Sequence, residues 1–371
     1  MKKLKLNLLF YDYASFNILK LSTLKLGVFT LICFSSFNFS IAQDDSLVIE
    51  NFKDRKVVFA DLGYTTAPFF MRYPYTSELG KLSYKNNFRL FMGLGFAYKW
   101  FSMRIGFPVL KSFRSKEKFG ETKQFNLGFD FSFQKMYFDF EFKSVLGYSI
   151  QDAYRWDSTY TDVNPNQNEA SIGTLNFAVN AWYFKDKNFK MNALVGKRAH
   201  YVRRVHTWYV KGTVNVFGAD NNGVPLIPQP LQNPANSKTL SSTLSSFDFG
   251  VIPGYAYVDR INNWQFSGWL GIGGVVQSKF YTVPDNPRGF LGLAPRYDIR
   301  LMGGYSRPEY FIFLLTDFDN KSIRFSDLIY RQYFYSIKIV GGYRFPERKK
   351  KFQRIINELC FNTFLVIESK L

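Results

Sequence analysis

The sequence is poor in the residues that most often build disulfides, metal sites and acid–base catalytic centres. Only two cysteines occur among its 371 residues, Cys33 and Cys360, and both lie toward the ends of the chain. The body between them therefore offers neither an internal disulfide nor a cysteine-ligated metal. Two histidines, His200 and His206, are too few to form a metal site by themselves. We expect no metal and no cofactor.

Long apolar runs and nucleic-acid-binding motifs are missing as well. After residue 42 no apolar run reaches the roughly 18 residues that a membrane-spanning helix needs. The formal charge is +19, but no zinc-finger spacing, helix-turn-helix pattern or RNA-binding aromatic motif accompanies it. We therefore expect no nucleic-acid partner. The partners that suit this basic chain are outer-membrane lipid and lipopolysaccharide, and the oligomeric state stays open.

The first 42 residues have the three parts of a secretory signal peptide. Lysines are concentrated before Leu26, residues 26–39 are almost wholly apolar, and the stretch ends in Ser40-Ile41-Ala42. The apolar run of about 14 residues is shorter than the roughly 20 that a spanning helix requires. The pattern predicts cleavage after Ala42. The alternative is a single uncleaved transmembrane anchor.

Alternating side chains give the clearest structural signal. From Gln124 to Gln134 every odd-numbered residue is large and apolar, and every even-numbered residue is polar or glycine. Because a β-strand places successive side chains on opposite faces, this pattern predicts a strand with one apolar face, including Phe129, and one polar face, including Asp130. The alternation resumes after about two residues, which predicts an antiparallel hairpin over residues 122–148.

Similar segments give twelve predicted strands between residues 57 and 345, one of which runs from a turn at 185–188 to about Val210. Their connections alternate between short and long. The short ones lie near Lys99, Met136, Lys187, Asn262 and Arg307, and the long ones span 66–86, 109–121, 149–170, 211–240, 277–289 and 319–331. Short periplasmic turns, long extracellular loops and abundant aromatic residues are typical of outer-membrane barrels. We predict an all-β fold, an up-and-down antiparallel transmembrane β-barrel of about 12 strands in the outer membrane of a Gram-negative bacterium.

The predicted organisation has four parts. Residues 1–42 form the signal peptide, 43–55 a periplasmic segment, 56–345 the barrel and 346–371 a basic tail. The last strand has an aromatic end, Tyr343 and Phe345, which resembles the closing-strand signal that the barrel-assembly machinery recognises. Pro346 then ends the strand, because proline cannot donate to the ladder.

Several motifs resemble a family of uncharacterised secreted barrel proteins of Gram-negative bacteria that carries a domain-of-unknown-function label. They are Leu82-Ser83-Tyr84-Lys85-Asn86-Asn87, the stretch from Met92 to Trp100, Phe107-Pro108, the hairpin at 122–148 and the ending Gly342-Tyr343-Arg344-Phe345. The resemblance covers most of residues 55–345. The chain departs from the family in having Asn86 where proline is expected, and in the tail after Phe345. The resemblance implies the architecture and no particular activity.

Two sets of residues are candidates for function. Extending the register from Met191 puts His200 and His206 on the lumen side with Arg198 and Arg204, where a histidine joined by a serine and an acid would suit a lipid hydrolase or acyltransferase. The alternative is that both are neutral side chains at a basic strand end, which makes a non-enzymatic barrel the favoured interpretation. The predicted lumen lining is Arg104, Asp130, Asp139, Glu141, Lys143, Arg296, Asp298, Arg300, Lys338 and Arg344.

Two interpretations of that lining remain open. Opposite charges across a narrow barrel either pair and plug it, or they form a selectivity lining. The proline-rich segment Val224 to Pro234 is either a lid over the mouth or a stiff surface loop. The sequence therefore predicts a narrow channel or a structural or surface barrel, with a lipid-modifying enzyme as the alternative.

Overall fold

The computed structural model describes residues 48–73, 79–87, 89–109, 114–133, 135–186, 188–283 and 286–346. The predicted signal peptide and nearly all of the predicted basic tail lie outside these residues. The described strands are β1 Ile49–Asn51, β2 Val57–Thr66, β3 Phe69–Arg72, β4 Leu82–Lys85, β5 Leu90–Tyr98, β6 Phe101–Pro108, β7 Lys123–Ser132, β8 Met136–Ile150, β9 Gln167–Phe184, β10 Ala199–Tyr201, β11 Val205–Asp220, β12 Thr243–Ile261, β13 Trp264–Val283, β14 Asn286–Ser306, β15 Tyr310–Arg324 and β16 Ile329–Arg344.

Two short α-helices are described, α1 Lys116–Phe119 and α2 Met191–Leu194. Three single 3-10 turns lie at Ala153–Arg155, Gln229–Leu231 and Ser237–Leu240. Among the described residues, no helix has the length and hydrophobicity that crossing a bilayer requires.

Twelve antiparallel wall strands form a closed ring. β2 and β3 act as one interrupted wall strand, because both pair with β16. The pairing of β16 with β2 joins the last wall strand to the first and closes the barrel. The short strand β4 pairs with β3 and β8 and completes the wall beyond the short strands β5 to β7. The predicted fold and strand number are confirmed.

The outer surface of the ring is an apolar belt. Its aliphatic and aromatic members are about half exposed, which is expected where lipid replaces water. They include Leu62, Leu94, Phe249, Val251, Leu270, Ile272, Val276, Leu301, Ile312, Leu314, Ile337 and Ile339. The predicted hairpin at 122–148 is confirmed as β7 and β8, with Phe129 in the outward register and the buried Asp130 in the inward one.

Aromatic pairs border the belt on both sides. At the end with the tight turns, Trp264 contacts Tyr305 and Tyr343 contacts Phe345, whereas at the other end Tyr64 contacts Tyr335. Tyr335 and Tyr343 are eight residues apart on β16, roughly 26 Å at ~3.3 Å per residue. Because barrel strands are tilted by about 40°, this corresponds to roughly 20 Å along the barrel axis, comparable to the belt of about 25 Å that outer-membrane barrels have. We call the end with the tight turns periplasmic and the other end extracellular.

Two predicted extracellular loops are wrong, and those predicted at 66–86 and 211–240 are in part strand, because β3 and β4 lie in the first and β11 continues to Asp220 in the second. The region 277–289 is mostly strand, because β13 continues to Val283 and β14 starts at Asn286. The region 319–331 is likewise strand except for residues 325–328. The apolar alternation stops at the edge of the belt, but backbone pairing continues beyond it. Strand ends predicted from the alternation alone therefore lie too close to the belt.

The predicted long strand after residue 188 is also wrong. The wall strand β11 begins only at Val205, and residues 188–204 form α2 and β10 inside the barrel. Strand β10 pairs with β1. Phe189 and Met191 pack with inward-facing wall residues such as Trp182 and Trp269. Their apolar character therefore reflects burial inside the barrel rather than contact with lipid. We call residues 48–52 and 188–204 the periplasmic plug.

Gly196 fixes the path of the periplasmic plug beside the wall. Its φ is +73°, a left-handed conformation that glycine adopts without strain. A Cβ atom at this position would lie 2.6 Å from the ring of Phe313 on β15. The plug therefore turns against the wall at a point where only glycine fits.

The extracellular mouth is filled by an apolar cluster. Inward-facing residues of the wall, including Phe69, Tyr148 and Tyr330, pack together with Leu226 and Ile227 from residues 221–242. The Tyr84 hydroxyl donates to the carbonyl oxygen of Leu226 at 2.7 Å. The proline-rich segment thus folds over the mouth, and we call residues 221–242 the extracellular lid.

Candidate functional site

The charged residues of the lumen lie between the periplasmic plug and the extracellular lid. The period of two places Asp139, Glu141 and Lys143 in a row on β8, and Arg296, Asp298 and Arg300 in a row on β14. The interior also contains rows that the sequence reading missed: Asp317, Asp319 and Lys321 on β15, with Asp61, Lys211 and Asp248 on other strands. The three charged residues of β15 also alternate along the sequence. Asp319 and Lys321, however, lie in the segment 319–331, which the sequence predicts to be a loop.

Most of these charges pair with one another, along one strand, between neighbouring strands or across the interior. The close pairs include Arg104 with Asp61 at 2.5 Å, Lys143 with Glu141 at 2.7 Å, and Lys211 with Asp298 at 2.8 Å. Further pairs join Lys321 with Asp319, Arg300 and Lys338 with Asp317, and Arg296 with Asp248. Paired charges attract one another more strongly than they attract a passing ion, so this arrangement suits a filled interior.

Two small cavities remain among these pairs, of about 100 and 110 Å³. Each is large enough to hold water molecules. Asp139 borders both cavities, and within the described part of the chain no ion pair or hydrogen bond to its carboxylate is found. The lumen therefore keeps polar space between the plug and the lid, in two neighbouring cavities that share Arg104, Asp139 and Lys338 in their linings.

Arg344 fastens the periplasmic plug to the wall. It is fully buried and donates to the carbonyl oxygens of Gly196 at 2.6 Å and Lys197 at 2.8 Å. Its guanidinium also lies between the rings of Phe52 in the plug, at 4.5 Å, and Phe311 on β15, at 4.8 Å. The structure thus places Arg344, predicted to line the lumen, in the contact between wall and plug.

Asp130 is the second fastening point. Its carboxylate accepts from the buried Arg198 guanidinium, and Lys197 lies 3.5 Å away. Both cations belong to the plug, whereas Asp130 belongs to β7. Removing this carboxylate would leave a buried guanidinium without its counter-ion, so Asp130 differs from the unpaired Asp139 on the neighbouring strand.

His200 has a serine and an acid as neighbours, but His200 and the serine are closed off from any ligand, while the acid is exposed. Its Nδ1 is 3.2 Å from the Ser306 hydroxyl and its Nε2 is 2.7 Å from a Glu50 carboxylate oxygen. Ser306 is 0% exposed and His200 is 1% exposed, and neither borders the two cavities. The Ser306 hydroxyl also accepts from Arg344. His200, Ser306 and Glu50 therefore have the residue types of a catalytic triad. Because the histidine and the serine are buried, their contact is a structural one.

The environment keeps His200 neutral. Burial, and then the positive charges of Arg260 and Arg344, lower the pKa of His200 to about 3. Its contact with Glu50 is accordingly a hydrogen bond from a neutral imidazole. His200 lies in the plug rather than on a wall strand, so the register that placed it with His206 does not apply.

His206 lies on the outer face of the barrel, contrary to the predicted lumen position. Strand β11 starts at Val205, and from there odd-numbered residues face inward. The His206 ring contacts the outward-facing Tyr255, with Nδ1 at 2.6 Å from the hydroxyl. The two histidines therefore do not share a site. Among the described residues, no group of three or more His, Cys, Asp or Glu side chains is arranged to hold a metal ion.

The barrel wall parts on the extracellular side between β14 and β15. These strands pair only from Asp298 and Asp319 toward the periplasmic end. Beyond that point, the Asn320 side chain accepts from the Tyr297 amide at 2.8 Å, and Arg296 donates to the Asn320 carbonyl at 2.8 Å. Arg296 thus holds the two strands together where their backbone pairing ends.

Comparisons with known proteins identify the family. The model of DUF4421, described as a domain of unknown function, matches residues 43–345. A comparison with curated proteins gives no match.

Among solved structures, the chain is similar to the outer membrane protease OmpT from Escherichia coli, at 11% identity, 80% coverage of this chain, 98% of that one and a TM-score of 0.36. It is similar to the COG4313 outer membrane channel from Pseudomonas putida F1, at 10% identity, 82% and 100% coverage and a TM-score of 0.36. It is also similar to the β domain of the Bordetella autotransporter BrkA, at 10% identity, 79% and 100% coverage and a TM-score of 0.36. Similarities this low transfer no function. The closed lipid-facing ring and the family match together show that the chain belongs to the DUF4421 family and is an outer-membrane β-barrel.

Proposed function

We propose that the protein is a closed structural or surface barrel rather than an open pore. The observation that carries this proposal is the closure of both ends, by the periplasmic plug and by the extracellular lid, around an interior whose charges are mostly paired. An open channel needs a continuous aqueous path, and twelve strands can either be filled by side chains or leave a bore. Here both ends are covered, and the polar cavities between them are lined by charges that mostly pair with one another.

Conductance in planar lipid bilayers tests the proposal. The purified, folded protein is expected to insert without producing stepwise current at moderate voltage. Arg344→Leu, which loosens the plug, is expected to produce occasional current steps. Steady ohmic conductance by the unaltered protein would contradict the proposal.

A gated narrow channel is the second candidate. The observation that favours it is the pair of polar cavities, which would join into a path if the plug left its seat. Its signature is a conductance that appears only when the plug is loosened and that changes its ion preference when Asp139→Asn is added. If the current in Arg344→Leu kept the same ion preference after Asp139→Asn was added, the ions would instead be leaking around the outside of the barrel wall.

The proposed route to the membrane begins with cleavage after Ala42. The mature chain then crosses the periplasm and is inserted by the barrel-assembly machinery, which recognises Tyr343 and Phe345. Phe345 supports this role because its side chain is about half exposed on the outer face and its amide donates to Lys56, so it ends the closing strand in contact with lipid.

Two measurements test this route. Mass spectrometry of the mature protein is expected to find Gln43 at its N-terminus. Phe345→Ala is expected to lower the amount of heat-modifiable barrel in outer-membrane fractions, whereas Phe247→Ala, an exposed aromatic of β12, is expected to leave it unchanged. Equal losses in both variants would argue against a specific closing-strand signal.

A further inference from the structure

A cationic patch lies on the outer wall just beyond the extracellular aromatic border. It consists of Arg72 on β3, Lys81 before β4, Arg324 at the end of β15 and Arg331 on β16, all exposed. The register brings them together, because Arg72 and Arg324 both pair with Ile329, and Arg331 pairs with Phe70. Four positive charges thus lie on neighbouring strands at one level of the barrel.

Phe70 organises two of these cations. The Lys81 ammonium lies 4.3 Å from the centre of the Phe70 ring, and the Arg331 guanidinium lies 5.5 Å from the same ring. Cation–π contacts of this kind hold long side chains in place while leaving their donors free to bind other groups. The ring therefore holds two cations close together at the surface.

The surrounding wall supplies no compensating acid. The outward-facing residues described on β2, β3, β4, β15 and β16 include no aspartate or glutamate. Within the described part of the chain, no acidic side chain forms an ion pair with Arg72, Lys81, Arg324 or Arg331. Asp327, in the turn between β15 and β16, pairs instead with Lys238 at 2.7 Å. Among the described residues, the four cations of the patch therefore have no acidic partner.

An apolar surface continues directly below the patch on the same strands. The outward positions of β16 run from Arg331 through Tyr333 and Tyr335 to Ile337 and Ile339. The neighbouring outward positions on β15 and β2 include Leu314 and Leu62, both about half exposed. A ligand that fits both parts has an anionic head at the membrane surface and acyl chains along the wall. Soluble phosphate and nucleic acid would not contact the apolar surface below the patch.

We propose that this patch binds the phosphorylated sugar head of a lipid A-type glycolipid in the outer leaflet. Arginine recognises phosphate through two parallel hydrogen bonds, and lysine adds a point charge. Arg72, Lys81, Arg324 and Arg331 bind the phosphate groups, while the outward residues of β2, β15 and β16 contact the acyl chains. The proposal rests on the proposed outer-membrane location and names its lipid partner.

Binding of the folded protein in detergent to vesicles that contain lipid A tests the proposal. Each cation near a membrane surface contributes roughly a fivefold change in binding. Removing three, in Arg72→Gln/Lys81→Gln/Arg331→Gln, is therefore expected to weaken binding about a hundredfold. The control Lys53→Gln/Lys135→Gln/Lys185→Gln removes the same charge from exposed positions at the periplasmic end and is expected to bind as the unaltered protein does.

The vesicle composition separates the alternatives. Dephosphorylated lipid A is expected to abolish the difference between the patch variant and the control, and millimolar inorganic phosphate is expected to compete only weakly. Equal binding by both triple variants, or the same loss with phosphatidylglycerol vesicles, would overturn the proposal. Heat-modifiability of each variant on gels verifies that the barrel is folded. Fractionation of the unaltered protein in cells tests the membrane location separately, because vesicle binding does not depend on it.

Discussion

The two ends of the barrel are closed by different kinds of contact. The periplasmic plug combines apolar packing, as of Phe189 and Met191, with directed polar bonds from a few buried residues, chiefly Arg344, Asp130 and His200. The extracellular lid is held mainly by burial of Leu226 and Ile227 in an apolar cluster. Polar contacts depend on geometry and on protonation, whereas apolar burial depends on area removed from water. The polar part of the plug is therefore expected to respond to changes that leave the lid unaffected.

The largest effect is expected from Arg344→Leu. It removes the donor to Gly196 and Lys197 and leaves their carbonyl oxygens buried without that partner. Each buried acceptor left unsatisfied costs about 1–3 kcal/mol, and this change affects at least two of them. Hydrogen exchange is expected to increase across residues 188–204 and to stay unchanged across 221–242. Arg307→Leu, at an exposed position, is the control, and equal exchange in both variants would show that Arg344 does not hold the plug.

The extracellular closure is expected to respond to loss of apolar volume. Ile227→Ala creates a cavity in the cluster under the lid, and such changes cost about 2–4 kcal/mol. Val224→Ala, at an exposed position of the same segment, is expected to change stability by less than about 0.5 kcal/mol. The measurement is hydrogen exchange of residues 221–242 together with the unfolding midpoint on gels. If residues 188–204 also loosened, the two closures would be coupled rather than independent.

A matched pair of carboxylates tests the polar closure within one hairpin. Asp130→Asn removes the counter-ion of Arg198 and is expected to destabilise the plug by about 1–3 kcal/mol. Asp139→Asn, across the same hairpin, removes a carboxylate with no ion-pair partner in the described structure and is expected to cost less than about 0.5 kcal/mol. Urea unfolding monitored by tryptophan fluorescence gives both values. A larger loss for Asp139→Asn would mean that its cavity-facing position contributes more than the Arg198 pair.

The sequence predicted the wall well and the closures poorly. The alternation around Phe129 follows directly from a surface that has lipid on one side, so the barrel, its strand number and the inward charges could be read from it. The plug could not, because Phe189 and Met191 are apolar for contact with the inside of the barrel, and alternation does not distinguish the two environments. Ser306 and Glu50 lie 106 and 150 residues from His200, a distance in sequence that no local pattern spans.

The smallest effect concerns pH, and it separates the two ends without changing any residue. His200 has a pKa of about 3 in the docked plug, below its ordinary value of 6.5, because burial and nearby arginines disfavour the charged ring. In a released plug the ring takes up a proton below pH 6.5, whereas in the docked plug it stays neutral until near pH 3. Docking is therefore fully favourable above pH 6.5 and weakens as pH falls toward 3, by about 1.4 kcal/mol at pH 5.5.

Hydrogen exchange at pH 7.5 and 5.5, corrected for the intrinsic effect of pH on exchange, measures this weakening. Protection of residues 188–204 is expected to fall roughly tenfold, while protection of the lid at 221–242 stays constant. His200→Gln cannot take up the proton and is expected to lose the pH dependence, whatever its absolute stability. If the variant kept the same pH dependence, another group would be responsible and the polar closure would not depend on His200. If the lid weakened to the same extent as the plug, acid would act on the whole barrel, and the distinction between a polar closure and an apolar one would not hold.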